Sequence, residues 1–479
     1  VARERPINAD VPAAEPEAEK ERPQPAAETA AREPAAEKPE QGKETKPTAA
    51  PKKAEKRAGA SPPAPPSPPP RRRRRVPGAL KGIAALVLLA IVFIVAAVIG
   101  GSGGSAEQEP QGPAPVTAGN GDSEAKAPAG QVPTELGYPG FATNNTTRIG
   151  GSDAAANAAA AALAVFPSTT ARQRPQAVVL AEEGSWQAAL AAAVLMAAPV
   201  RAPLLLSNPD GLPDASAEAL EALDPSGGPD TGGTAIFAVG QVVGAEGRKT
   251  SGVPPREPAA MAAAIAEQRD RLFGDAPKAF VLAPLAAPAF AMPAAAWAAR
   301  SGDPVLFSET EKLPKATAAA LQRHAKVPVY VLGPSSAISS AVVREIEQGG
   351  AKVHRVSGED PVANAVAFAR YADGGFGWNV NDPGHGFVLA RDEDPLDAAA
   401  AAPLSASGTW GPLLLSDSAA TLPGAVRDYF LDVKPGYTND PTRAFYNHVW
   451  VIGDQEAIDV NQQAEVNELA ELAKIGGGE

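Results

Sequence analysis

Apolar residues along this chain fall into short blocks, and the blocks recur in a fixed order. A proline-led run appears three times: Ala202-Pro203-Leu204-Leu205-Leu206-Ser207, Asp303-Pro304-Val305-Leu306-Phe307-Ser308 and Gly411-Pro412-Leu413-Leu414-Leu415-Ser416. Each is followed shortly by Leu-Pro, at Leu212-Pro213, Leu313-Pro314 and Leu422-Pro423. Each is preceded by another apolar run, at 177–181, 279–283 and 387–390, and followed by a third that closes in glycine, at Gly240, Gly333 and Gly453. The period is about 100–110 residues, the mark of a tandem repeat.

Runs of four to six apolar residues bounded by Pro and Gly predict strands buried on both faces of a parallel sheet. Between the first and second runs lie the Ala-rich stretches 186–198, 289–299 and 396–403, which have helical length and composition. Leu-Pro then opens a second helix, over 214–223, 315–324 and 424–431, with proline in a position a helix start accepts. Strand, helix, strand, helix, strand is the doubly wound order. The chain is therefore expected to be α/β: three tandem small doubly wound repeats with parallel sheets, over 141–250, 251–353 and 354–460, with a tail at 461–479.

The residues before the repeats read differently. Positions 1–75 contain no Leu, Met, Phe, Tyr or Trp, too little apolar surface to offset the entropy of ordering, so a disordered tail is expected. From Gly82 to Gly101 no residue is charged, and about 20 apolar residues span a bilayer as a helix. Arg71–Arg75 and Lys81 precede this run, and no Lys or Arg follows it until Lys126. That asymmetry predicts a single-pass anchor at 76–101 with a cytoplasmic N-terminus and an extracytoplasmic C-terminal part. Residues 102–140, rich in Gly, Ser, Pro and Ala, read as a flexible linker.

Charge follows the same division. Residues 1–81 carry 18 Lys/Arg against 12 Asp/Glu, and the remainder 25 against 43. So acidic a region draws a polyanion only where basic residues are locally focused or divalent cations bridge. The absence of cysteine removes disulfides and thiolate chemistry.

One polar motif joins the first and third repeats. Arg148-Ile149-Gly150-Gly151-Ser152-Asp153 with Asn157 has the spacing of Arg355-Val356-Ser357-Gly358-Glu359-Asp360 with Asn364. The second repeat offers only Arg256-Glu257-Pro258 nearby. Two readings stand: glycine for a turn, Asp as helix cap and Asn packed at the helix start, or Arg, Asp and Asn lining a groove at strand ends, where open α/β sheets bind ligands.

At this point the chain resembles the cell wall-binding repeat 2 family. The residues carrying the likeness are Arg148–Asp153, Trp186-Gln187-Ala188-Ala189-Leu190, Ala202–Leu206, Leu212-Pro213 and Ile236–Gly240, and the likeness extends over 146–460. It implies three copies about a pseudo-threefold axis and non-covalent attachment to an anionic wall polymer. Where the family has Arg-Tyr after its Asp, this chain has Ala154-Ala155. The family's helix Asp is expected to be replaced by Ala188 and Ala291 and kept as Asp397.

Catalytic signatures are missing: there is no His-Glu-x-x-His, Gly-x-Ser-x-Gly or phosphate-cradling glycine loop. The four histidines, His324, His354, His385 and His448, lack ligand spacing. Arg391-Asp392-Glu393-Asp394 is the densest acidic cluster, a cation site or a solvated loop with a helix cap. Ser207, Ser308 and Ser416 recur with no base in prospect, and Trp186 and Trp378 read as half-buried aromatics or sugar platforms. The expected protein is a non-enzymatic, cofactor-free envelope module that binds a cell-wall polymer; a protein–protein scaffold of an envelope assembly is the alternative and a wall hydrolase the third reading, and nucleic acid is not an expected partner. Its expected ligand-binding residues are Arg148, Asp153, Asn157, Arg355, Asp360, Asn364 and Asp397.

Overall fold

The computed structural model describes residues 141–475, apart from Ala245 and residues 408–410. The expected tail, membrane segment and linker at 1–75, 76–101 and 102–140 lie outside the described residues. Among the described residues no helix is long and apolar enough to cross a membrane.

In chain order the strands are β1 (Phe141–Ala142), β2 (Thr146–Ile149), β3 (Val178–Glu182), β4 (Leu204–Ser207), β5 (Ile236–Val239), β6 (Thr250–Val253), β7 (Phe280–Pro284), β8 (Val305–Ser308), β9 (Val329–Leu332), β10 (Val353–Val356), β11 (Gly386–Arg391), β12 (Leu413–Ser416), β13 (Gly436–Tyr437), β14 (His448–Ile452) and β15 (Ala473–Lys474). Each proline-led run forms a strand, and the prolines sit just before β4, β8 and β12, where no ladder N–H is lost. After each Leu-Pro a helix begins, at Asp214–Leu223, Lys315–Arg323 and Gly424–Asp432, with the proline itself as the N-cap.

Three larger sheets result, ordered β4-β3-β5-β6, β8-β7-β9-β10 and β12-β11-β14-β2-β1. All pairs in them are parallel except β1 with β2. The repeats are not self-contained units. β6, the first strand of the second repeat, completes the first sheet, and β10, the first strand of the third repeat, completes the second. β2, the first strand of the first repeat, completes the third sheet beside β14. The exchange is therefore circular.

The helix after each exchanged strand returns to its own repeat. Ala154–Val165 packs on β4, Pro258–Phe273 on β8 and Pro361–Arg370 on β12. The Ala-rich helices Trp186–Ala192, Pro293–Ser301 and Pro395–Ala406 pack against one another and form a shared centre. Their buried faces are almost wholly alanine, with Ala188–Ala192, Ala294–Ala296 and Ala398–Ala402 nearly or completely sealed from solvent. Small side chains let three backbones approach, while the large ones lie between helices and sheets, where Phe237, Phe280, Phe307 and Phe387 are buried. Each such side chain contributes roughly 2–3 kcal/mol through burial.

The stretch read as a tail contains the helix Val460–Ala470, which packs on β2 and β14. Gln463 of this helix donates to Thr146 Oγ1 at 2.9 Å, and Gln462 to Ser416 Oγ at 2.9 Å, so it ties the exchanged strand to the third sheet.

Candidate functional site

Both motif arginines clamp backbone carbonyls of a neighbouring loop. Arg148 is 5% exposed. Its guanidinium donates to Gln463 Oε1 at 3.0 Å, to the Gly453 carbonyl at 2.9 Å, and to the carbonyls of Asp454 and Ile458. Arg355 donates to the Gly333 carbonyl at 2.7 Å and the Ile338 carbonyl at 2.8 Å. Each arginine holds the loop between a closing glycine and the next helix. Burial lowers the affinity of both guanidinium groups for their proton, and at Arg148 the charges of Asp454 and Asp459 oppose that effect.

The sequence carried a signal for this. The held loops share a pattern, Gly333 with Ala337-Ile338-Ser339 and Gly453 with Ala457-Ile458-Asp459, and Ser339 and Asp459 cap the helices that follow. The first repeat has no helix between Gly240 and β6. There the position of the arginine is taken by Gly252, where a Cβ would lie 1.9 Å from the Ala238 carbonyl oxygen.

Asp153 and Asp360 are helix N-caps, accepting from Ala156 N at 2.8 Å and Ala363 N at 2.7 Å. Asn157 and Asn364 fold back on the turn before them, accepting from Gly151 N at 2.9 Å and Gly358 N at 3.1 Å. The glycines are needed for this approach: a Cβ on Gly150 would fall 2.0 Å from Asn157 Oδ1, and one on Gly358 2.2 Å from Asn364 N.

The amide nitrogens of the two asparagines differ. Asn157 Nδ2 donates to Asp397 Oδ1 at 2.7 Å, a buried bond across 240 residues. Asn364 Nδ2 is buried without a partner among the described residues. Sheet register explains the difference. Asp397 is the third residue of the helix begun by Pro395, and the third residue of the helix begun by the equivalent Pro288 is Phe290, not Ala291. Phe290 lies beside Gly333. At the remaining junction the equivalents of Asp397 and Asn157 are Ala188 and Met261. Of the three related junctions, only that between the third and first repeats keeps the Asp–Asn pair.

That junction is an open cleft of about 230 Å³. Asp153, Asn157, Asp397, Asp394, Glu393, Asp454 and Glu456 line it together with Arg391, and Arg391 pairs with Glu393 at 2.6 Å. Thus Asp153, Asn157 and Asp397 converge, Arg148 lies beneath them holding the Gly453 loop, and Arg355, Asp360 and Asn364 belong to a different junction. Burial pushes the Asp397 carboxyl up to about 6; the Asn157 bond opposes this, and the charges of Asp394 and Asp153 reinforce it. Asp394 accepts from Leu396 N at 2.9 Å as a helix cap. The cleft is suited to accept hydrogen bonds from hydroxyl or ammonium groups. Among the described residues no group of three or more His, Cys, Asp or Glu side chains is arranged to hold a metal ion.

The other candidates have local partners. Ser207, Ser308 and Ser416 are fully buried and bond to the loops that follow their strands, Ser207 also to Val243 in the loop after β5. The histidines contact separate groups: His324 with Asp270, His354 with Asp373, His385 with Asp382 and His448 with Thr147. Trp186 packs edge-on against Phe307, and Trp378 against Trp297.

Residues 258–343, from the start of the helix Pro258–Phe273 into the helix Ser340–Gln348, match the model of the family described as cell wall binding domain 2. The matched stretch begins after β6 and ends before β10, so the two exchanged strands flank it. The fold is similar to solved structures from Clostridium difficile. Over 68% of this chain and 48% of the other, it matches Cwp6 with a TM-score of 0.55 at 17% identity. Over 68% of this chain and 52% of the other, it matches Cwp8 with a TM-score of 0.52 at 20% identity. The chain thus spans about half the length of each of these structures. No curated protein matches it.

Proposed function

We propose that this protein is a non-catalytic module that holds a cell-wall polymer outside the membrane, carried on a single-pass anchor at 76–101 with its N-terminus in the cytoplasm. The cell wall binding domain 2 match over 258–343 carries this reading. The polymer contact is assigned to the cleft where Asp153, Asn157 and Asp397 meet, whose carboxylates accept bonds from sugar hydroxyls or ammonium groups. A hydrolytic role is not favoured, because Asp153 and Asp394 are engaged as helix caps and Asp397 is bonded to Asn157.

The test is retention of the full chain on isolated sacculi, with and without their secondary polymers, beside Asp397→Asn. Retention that requires the polymer and weakens about tenfold in the variant, roughly 1.4 kcal/mol, supports the module and its site. Retention unaffected by the substitution removes the cleft from the reading; no retention on any fraction removes the polymer.

One feature favours a protein-binding scaffold as the second reading. Phe445, Tyr446 and Ile475 are 70%, 56% and 56% exposed, and Phe445 and Ile475 line one groove. Apolar surface gathered in this way marks interaction sites.

A further inference from the structure

Beneath the N-terminal ends of β7, β8, β9 and β10 lies a cavity of about 490 Å³. Lys278 and Lys352 line it, and their ammonium groups make no hydrogen bond or ion pair among the described residues. The turn Asp373–Phe376 forms another wall, and the amides of Gly374 and Gly375 in it are bonded to no other described residue.

The cavity's two carboxylates differ in what they have left to offer. Asp303 is 3% exposed and largely engaged: it accepts from Lys278 N at 3.2 Å, Ala279 N at 3.0 Å and Trp297 Nε1 at 3.0 Å. Asp373 accepts the Tyr330 hydroxyl at 3.1 Å on Oδ2, the oxygen that also faces His354 Nδ1 at 3.2 Å, which leaves Oδ1 uncommitted. His354 stacks on Tyr330, and Tyr330 on Phe376, so the aromatic back wall is fixed.

The first sheet shows why the cavity is open here. At the positions of Lys278 and Lys352 it has Gln176 and Lys249. Gln176 donates to Asp230 at 2.7 Å, and Lys249 to the Gly232 carbonyl at 3.1 Å. Both partners belong to the connection between the helix Asp214–Leu223 and β5. In the second repeat the helix Lys315–Arg323 and β9 are separated by residues 324–328 alone. With no such connection over these strand ends, the two lysines make no hydrogen bond or ion pair among the described residues.

We propose that this cavity binds a hydroxylated anion, a sugar acid or sugar phosphate, with the anionic group between Lys278 and Lys352 and a hydroxyl donating to Asp373. Lys278 and Lys352 supply the two cationic groups, against the carboxylates of Asp303 and Asp373 in the same lining. The assignment deepens the polymer-binding reading by naming the chemistry of one unit of the ligand, and rests on that reading for its setting.

The experiment is calorimetric titration of the full chain with glucuronate, glucose 1-phosphate, glucose and inorganic phosphate. At least one of the two hydroxylated anions is expected to bind, with glucose and inorganic phosphate at least about tenfold weaker. The response of the two anions distinguishes a carboxylate from a phosphate source. Lys278→Gln/Lys352→Gln is expected to weaken binding about tenfold or more, and Asp373→Asn to narrow the preference over inorganic phosphate. Neither anion binding, or binding indifferent to the lysine pair, overturns the proposal. If the probes fail while sacculi still retain the chain, this inference falls and the polymer reading stands. If the probes bind while sacculi do not, the pocket stands and the polymer reading falls.

Discussion

Asn157 and Asp397 are 240 residues apart in the chain and 2.7 Å apart in the fold. Their bond joins the first helix of the first repeat to the central helix of the third, across the junction where the circular strand exchange closes. The same pair positions the only carboxylate of the cleft that is both buried and free of a capping role.

The Asp397 carboxyl is held at about 6 in the folded chain, against about 4 when unfolded. A carboxyl raised by folding stabilises the fold most below its unfolded value, and that contribution is lost as pH rises through about 6. Two units correspond to roughly 3 kcal/mol. Between pH 4 and 7.5 the stability of the native chain should therefore fall, relative to Asp397→Asn, by an amount of that order. Urea unfolding of both proteins across this range checks it; a gap that does not change with pH contradicts it.

The two motif asparagines should respond unequally to truncation. Asn157→Ala removes two bonds and leaves Asp397 without its donor, whereas Asn364→Ala removes one bond together with a stranded amide. Near pH 7.5 the first substitution should destabilise by about 1–3 kcal/mol more than the second. A double-mutant cycle with Asp397→Ala isolates the pair, and a coupling near zero would show that the bond contributes nothing.

Arg148→Ala should act on stability directly. It removes a buried guanidinium that serves three carbonyls and Gln463, with an expected loss of about 3 kcal/mol. Arg355→Ala, which removes bonds to two carbonyls, should lose about 2 kcal/mol. Chemical denaturation gives both values. If both variants melt like the native chain yet bind wall polymer poorly, the arginines are ligand contacts after all.

Removing residues 141–149 should loosen the far end of the chain. β2 is the partner of β14, and Gln463 bonds to Thr146. Amide exchange should rise in β14 and in Val460–Ala470, while β7, β8 and β9 keep their protection. Uniform loss across all three sheets would mean that the repeats unfold only together.

Three strands of each repeat were legible because Pro and Gly bracket the apolar runs, and two helices of each because Ala-rich stretches and Leu-Pro starts separate those runs; β2, β6 and β10, short and partly polar, were not. The exchange was not legible, since β6 and β10 would show the same residues whichever sheet received them. The contacts of Arg148 were not legible, because the motif shows only that an arginine recurs, while the carbonyls and the glutamine it meets follow from packing. The helix aspartate of the second repeat was placed at Ala291, one residue late; Pro288, aligned with Pro395, assigns the position to Phe290. Asp153, Asn157 and Asp397 were named, but that they share one junction follows from packing.

The exchange of β2, β6 and β10 also bears on how such a protein can grow. An open stack of repeats keeps a free edge, where duplication adds another unit without disturbing the rest. Here every edge that a fourth copy would join is already taken, the last by the opening strand of the first copy. Copy number is therefore written into the strand pairing, and diversity must come from altering individual junctions. The charged, half-apolar and apolar versions at Asp397, Phe290 and Ala188 are three such alterations within one chain.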